Sequence, residues 1–407
     1  MIKQTSGAMA LCFMVAGASQ AQNAGRIGMG SVDLIPVLDT DFLHIDNVAY
    51  ASDEDAAITS WVGVVSPQIR AVTEISGNEV ELGYRLERGE YFSSSADNYT
   101  DHYLHADGDF VFSERSKFTA RANFVDGHDD RGRVYSNGFG NALAEPDTFR
   151  NANIDGTLSY GNVSSTGRIA LSGGYEVMNY DDRSEVLEFR DSAFLRFRDR
   201  EYFRYGAAFY YRVAPSTNLV VDANRQEITY DETQNPLNSL DSDENSILAG
   251  LTWQTNDYTR SFAKVGYKQK KFDSVGRDDF SGVAWEVGMA YQPVSYSEVK
   301  VETSADTRET NSDADYIRSR DYSVSWKHAW VERFTTTARI AYATDDFEGQ
   351  AGTQRQDETT KVTLGADYNF RRWLQLGIFY QINERDSNRD TIDYDRDVIG
   401  LSAKVTL

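Results

Sequence analysis

The stretch Lys361-Val362-Thr363-Leu364-Gly365-Ala366-Asp367-Tyr368-Asn369-Phe370, followed by Arg371-Arg372-Trp373 and then Leu374-Gln375-Leu376-Gly377-Ile378-Phe379-Tyr380-Gln381-Ile382-Asn383, decides the fold of this chain. In its first part Val362, Leu364, Ala366, Tyr368 and Phe370 take every second position, and Lys361, Thr363, Gly365, Asp367 and Asn369 fall between them. The second part repeats the pattern in Leu374, Leu376, Ile378, Tyr380 and Ile382 against Gln375, Gly377, Gln381 and Asn383. Side chains on a strand alternate faces, so each part is a strand with one apolar and one polar side. The link between them is short, which makes the pair a hairpin.

The same period recurs upstream. Val283, Trp285, Val287, Met289 and Tyr291 alternate with Gly282, Glu286 and Gly288, and Ile169, Leu171, Tyr175 and Val177 with Arg168, Ser172 and Glu176. A soluble sandwich also alternates, but two features favour a membrane barrel. Aromatics flank the short turns: Phe112 with Phe118, Trp253 with Tyr258, Tyr291 with Tyr296, Trp330 with Phe334, and Phe370 with Trp373. A membrane interface selects aromatics at that level. The alternate connections are longer and acidic, running Asp126 to Asp147, Asp231 to Glu244, Thr307 to Asp315 and Asp345 to Glu358. Short inner turns and long outer loops are the outer-membrane pattern. Pro215 and Pro293 fit short turns and Pro146 and Pro236 fit long loops, whereas Pro36 and Pro67 point to irregular early strands.

The expectation is therefore an all-β chain: one transmembrane antiparallel β-barrel of about 18 strands, with ~16 as the alternative. The alternation runs on through Leu401, Ala403, Val405 and Leu407, a terminal strand of the kind read by the barrel assembly machinery. At the other end Lys3, an apolar run from Ala8 to Ala18 and Ser19-Gln20-Ala21 form a secretory signal over residues 1–21, leaving 22–407 as the barrel. The single cysteine, Cys12, lies in that signal, which suits passage through an oxidising periplasm without disulfides.

Composition narrows the function. The chain has 407 residues, Lys+Arg 41 and Asp+Glu 63, a net charge of -22. That charge argues against nucleic acid, whose binding needs a basic face to neutralise phosphates. The histidines show no metal-ligand spacing, since His102 and His105 would lie on opposite faces of a strand. No nucleophile–base motif, phosphate loop or zinc motif stands out, so neither enzyme activity nor a cofactor or metal is expected. What remains is the polar face. As pore-lining candidates it presents Arg85, Arg121, Arg204, Arg212, Lys264, Lys268, Lys300, Lys327, Arg339 and Lys361, with Glu286 and Glu302 among the facing acids. Two readings stay open. These charges form ion pairs that stiffen a wet lumen, or the lysines and Arg339 form a basic wall that draws anions. The longest loop, from Gly127 to Glu145, offers His128, Asp129, Asp130, Arg131 and Arg133 as constriction-loop candidates, or else is a solvated surface loop.

Pro36, Asp46-Asn47-Val48, Pro67, Asp97-Asn98-Tyr99-Thr100-Asp101 and His128-Asp129-Asp130-Arg131-Gly132 resemble the family named Putative beta-barrel porin 2. The family's members often accompany capsule or exopolysaccharide biosynthesis genes. The resemblance thus implies an outer-membrane conduit for a secreted polysaccharide handed over by a periplasmic export protein, and it brings no catalytic residues. The alternatives are a diffusion porin for small solutes and a structural or adhesive barrel bound to lipid and lipopolysaccharide.

Overall fold

The computed structural model describes residues 25–53, 55–162, 164–181, 195–232, 239–256, 258–310, 314–349 and 354–406. The expected signal segment, Pro236, Leu407 and most of the stretch from Arg183 lie outside them. The strands are β1 (Ile27–Met29), β2 (Val32–Ile45), β3 (Ser60–Ile75), β4 (Asn78–Tyr91), β5 (Tyr99–Ser113), β6 (Ser116–Asp129), β7 (Asp147–Tyr160), β8 (Gly167–Tyr180), β9 (Arg200–Ala214), β10 (Thr217–Tyr230), β11 (Ser242–Asn256), β12 (Thr259–Phe272), β13 (Phe280–Val294), β14 (Ser297–Arg308), β15 (Tyr316–Val331), β16 (Phe334–Glu348), β17 (Gln356–Arg371), β18 (Leu374–Ser387) and β19 (Tyr394–Thr406).

From β2 onward each strand pairs antiparallel with the next, and β19 returns to β2 in the register Val398↔Ile45 to Thr406↔Val37. Eighteen strands therefore close into one barrel, and β1 is a short flap on β2. Closure is what a lipid environment demands, because hydrocarbon offers no partner to an open strand edge. The eighteen-strand reading is the observed one, and sixteen is not.

The alternation sorts the side chains. Leu364, Leu376, Ile378, Val283 and Val265 stand on the outer, lipid-facing surface, half or more of several of them exposed. The intervening residues turn into the lumen. Two-residue turns at 76–77, 114–115, 215–216, 295–296, 332–333 and 372–373 lie at one end. Ser76 and Gly77 both have positive φ, 54° and 78°, the backbone of a tight hairpin turn. Ile27 and Thr406 lie at this end too, and the Thr406 N–H donates to the Trp373 carbonyl at 3.0 Å. The longer connections gather at the opposite end, among them loop 1 (46–59), loop 2 (92–98), loop 3 (130–146) and loop 9 (388–393).

Three expectations need correction. Pro36 and Pro67 sit inside regular strands, in register with Ile69 and Leu38. Pro36 escapes a missing bond because β19 reaches only to Val37, and at Pro67 the β3–β4 pairing is interrupted between Val65 and Gln68 without a change of register. The long loops are also shorter than expected, because strands of 12–16 residues carry on past the membrane: β16 ends at Glu348 and β17 begins at Gln356. Finally, aromatics form two belts rather than one. Trp326, His328, Trp330 and Tyr296 pack together near the turns. Phe42 stacks on Trp61 at 4.9 Å, and Tyr322 lies by Tyr342, toward the loop end.

Candidate functional site

Loop 3 does not stand free in solvent. Arg131, whose side chain is 5% exposed, sends Nε and Nη2 to the two oxygens of Asp97 in loop 2 at 2.7 and 2.6 Å. Its Nη1 donates to the Leu143 carbonyl at 2.8 Å, and Nη2 also reaches Ser94 Oγ. A bidentate guanidinium–carboxylate pair is the strong form of such a contact, and here it ties loop 2 to two points of loop 3. Two glycines bring loop 3 onto loop 1. A Cβ at Gly132 would lie 1.9 Å from the Ala49 carbonyl oxygen, and one at Gly140 would lie 2.4 Å from the same atom. Gly132 also has φ 85°, so only glycine suits it on both counts. Further along, Arg385 of β18 donates to Asn137 at 3.0 Å, and Gly138 packs on Ile392 of loop 9. On the other flank Arg200 of β9 donates to Tyr135, and Tyr180 of β8 donates to Asp129. Loop 3 thus spans the mouth from β9 to β18.

Beneath this span lies a cluster that the sequence reading missed in part. Tyr50 of loop 1 is buried, with a positive φ of 51°, an uncommon backbone for a bulky residue. Arg133 of loop 3 and Arg396 of β19 both lie over its ring, at 5.5 and 4.7 Å from the centroid. The Tyr50 hydroxyl donates to Asp130 at 3.3 Å. Burial pushes the Tyr50 phenol up, against the pull of Arg396. Burial alone would raise the Asp130 carboxyl too, but His128, Arg133 and Arg396 hold it well below the usual carboxylate range. His128 also meets Asp101 of β5 at 3.0 Å. Asn47 closes the set: it caps loop 1 through Ala51, and its carbonyl accepts from Arg396 Nε at 3.1 Å. The segments that carried the family resemblance, around Asn47, Asp97 and His128, therefore meet in space.

The pore-lining candidates all fall on the face opposite the lipid. Arg85 meets Glu87 at 2.8 Å and lies over Tyr103 at 3.9 Å. Arg121 pairs with Asp107 at 3.1 Å and Arg204 with Glu176 at 2.7 Å. Lys264 bridges Asp222 and Glu286 at 2.5 and 2.8 Å. Lys268 joins Glu244, at 2.7 Å, to Asp306, and Lys300 meets Glu298 at 2.6 Å. Arg212 is in register with Asn218, Lys327 with Glu298, Glu302 with Gly288, Arg339 with Ser325 and Lys361 with Ala341. The basic-wall reading fails for Lys264, Lys268 and Lys300, because a facing strand or the same strand supplies each with a carboxylate. His102 and His105 part as expected: His102 meets Tyr84, and His105 meets Glu81.

Comparison with known proteins adds the following. The family model Putative beta-barrel porin 2 matches residues 24–407. No curated protein matches the chain. Among solved structures it is similar to OpdL of Pseudomonas aeruginosa, with 10% identity, 93% of this chain and 100% of that chain covered, and a TM-score of 0.48. It is also similar to the siderophore receptor PirA of Acinetobacter baumannii, with 7% identity, coverage of 92% and 80%, and a TM-score of 0.49. For the FrpB iron transporter of Neisseria meningitidis the identity is 10%, the TM-score 0.46 and the coverage 89% of this chain. The chain spans 62% of FrpB's length.

Proposed function

This chain belongs to the Putative beta-barrel porin 2 family and is a porin of the bacterial outer membrane, and we propose that it passes small solutes rather than a polymer. The observation that carries this reading is the mouth. Loops 1, 2 and 3 are bound to one another by the buried Arg131–Asp97 pair and by glycine contacts too close for any side chain. A polymer conduit needs a path that stays wide along its whole length. Here the loops narrow the path at one end, while the turn end keeps exposed, hydrated charges such as Arg121 and Asp109. A narrow, polar eyelet above a wet vestibule suits diffusion of molecules that fit through it.

The test is liposome swelling with the purified barrel and a series of uncharged sugars from monosaccharide to long oligosaccharide. The reading predicts fast entry of the smallest sugars and a steep fall with size. Entry of long oligosaccharides at a rate like that of glucose would sink it in favour of the polymer conduit.

A further inference from the structure

Gln381 differs from the rest of the wall. It lies on the lumen face of β18 and is 1% exposed, yet neither its amide nitrogen nor its amide oxygen meets a hydrogen-bond partner among the described residues. Buried amides in folded proteins are ordinarily satisfied. This one borders a cavity of about 120 Å³ under loops 1 and 3. Leu43, Ile45, Val62, Val64 and Val398 give that cavity an aliphatic floor. The cavity is partly open, so its occupant need not fit wholly within that volume.

Both signs of charge border the same space. Arg133 and Arg396 flank it by Tyr50. Asp129 and Asp130 approach from loop 3 and its stem. The other two carboxylates are engaged by the wall: Asp101 by His128 and Tyr103, and Glu87 by Arg85 and Tyr99. A primary amide offers one acceptor and two donors. A molecule that satisfies it must bring both a donor and an acceptor.

We propose that this cavity is a subsite for a zwitterionic α-amino acid with an aliphatic side chain. Its carboxylate accepts from the Gln381 amide nitrogen and the guanidiniums, its ammonium donates to the Gln381 amide oxygen and the Asp130 side, and its side chain rests on the floor of valine, leucine and isoleucine. The proposal rests on the solute-porin reading, since it names the class of solute held at the eyelet.

The test uses the detergent-extracted full chain and leucine as probe, with binding measured by calorimetry and conduction measured separately in planar bilayers. Two half-ligands accompany it: 4-methylpentanoate, which lacks the amine, and 3-methylbutylamine, which lacks the carboxylate. The expected result is that leucine binds at least tenfold more tightly than either half-ligand, and that folded Gln381→Leu loses at least tenfold in affinity for leucine. Equal binding of leucine and 4-methylpentanoate by the wild type, or no leucine binding at all, overturns the proposal without reference to any variant. A barrel that conducts ions yet ignores leucine refutes the subsite alone. One that binds leucine yet conducts nothing refutes the porin reading and leaves the subsite standing.

Discussion

Lys270 and Lys300 face the same lumen from strands two apart, yet they sit in different solvents. Lys270, near the loop end of β12, is fully buried between Glu244 and Glu309. Lys300, near the turn end of β14, is 52% exposed beside Glu298. The contrast holds across the two halves of the barrel. Toward the loops, Glu244, Asp101, Asp357 and Arg396 are buried; toward the turns, Arg121, Asp109 and Lys404 stand in water. The same alternating sequence thus builds a packed eyelet at one end and a hydrated vestibule at the other. What separates them is the packing at the loop end, where loop 3 crosses to Arg200 and where Tyr230, Thr307 and Glu309 close around Glu244 and Lys270, which takes water away from charges that the strands alone would leave wet. A charge pair in the packed half is costly to break, because the partner left behind remains buried. One in the wet half contributes little.

The largest expected effect is a direct break of that contrast. Lys270→Ala leaves Glu309 the Tyr230 hydroxyl and Glu244 the Lys268 ammonium, takes a cation from both buried carboxylates, and should cost about 3 kcal/mol, whereas Lys300→Ala should change stability by no more than about 1 kcal/mol. Urea unfolding of the two purified variants, followed by heat-modifiable migration, measures the gap. Equal midpoints would mean that the loop end is as wet as the turn end.

Next comes the comparison of faces. Leu376→Arg or Leu364→Arg places a guanidinium in lipid at a cost of roughly 2–4 kcal/mol. Gln375→Ala and Lys361→Ala alter only the lumen. The first pair should assemble poorly in membranes and the second pair normally. Indistinguishable yields from all four would show that the faces are assigned the wrong way round.

Acid should act on the Asp130 contact late. The Asp130 carboxyl is held well below its ordinary range by His128, Arg133 and Arg396. A depressed carboxylate stabilises the fold above its unfolded value, and that contribution disappears as pH falls through the folded one. Loop 3 should therefore keep its place through mildly acid pH and loosen only on strong acidification, read as rising protease cleavage at 130–146. Asp130→Asn should remove most of this pH dependence. Cleavage that rises already at mildly acid pH would contradict the assignment.

The smallest effect belongs to the vestibule. Lys300→Glu should shift single-channel preference toward cations only slightly, and the shift should fade as salt rises, since exposed charges are screened. Lys264→Glu and Lys268→Glu do not serve the same purpose, because their paired positions make them lesions of packing as well as of charge.

How far the sequence could be read follows from the range of each interaction. Alternation is local, so the hairpin of β17 and β18 and the lipid-facing Leu364 and Leu376 were legible in ten-residue windows. The outer aromatic belt was not, because Phe42, Tyr322 and Tyr342 stand within long strands and no turn marks them. The lysine pairs required strand register. Lys264 reaches Asp222 two strands away, a distance along the chain that periodicity does not encode. Least legible was the eyelet. His128, Asp129, Asp130, Arg131 and Arg133 form one visible cluster, but Tyr50, Asp97, Gln381 and Arg396 come to it from loops and strands far apart in the chain. The one local sign was glycine: Gly132 and Gly140 bracket the part of loop 3 that presses on Ala49.

The account rests on loop 3 being held across the mouth by Arg131. Arg131→Ala should release it, which protease cleavage within 130–146 will register, and the measurement that decides is single-channel conductance of the same barrels in planar bilayers. The account predicts a severalfold rise over wild type with the barrel still folded. An unchanged conductance in channels whose loop 3 has demonstrably come free would contradict it.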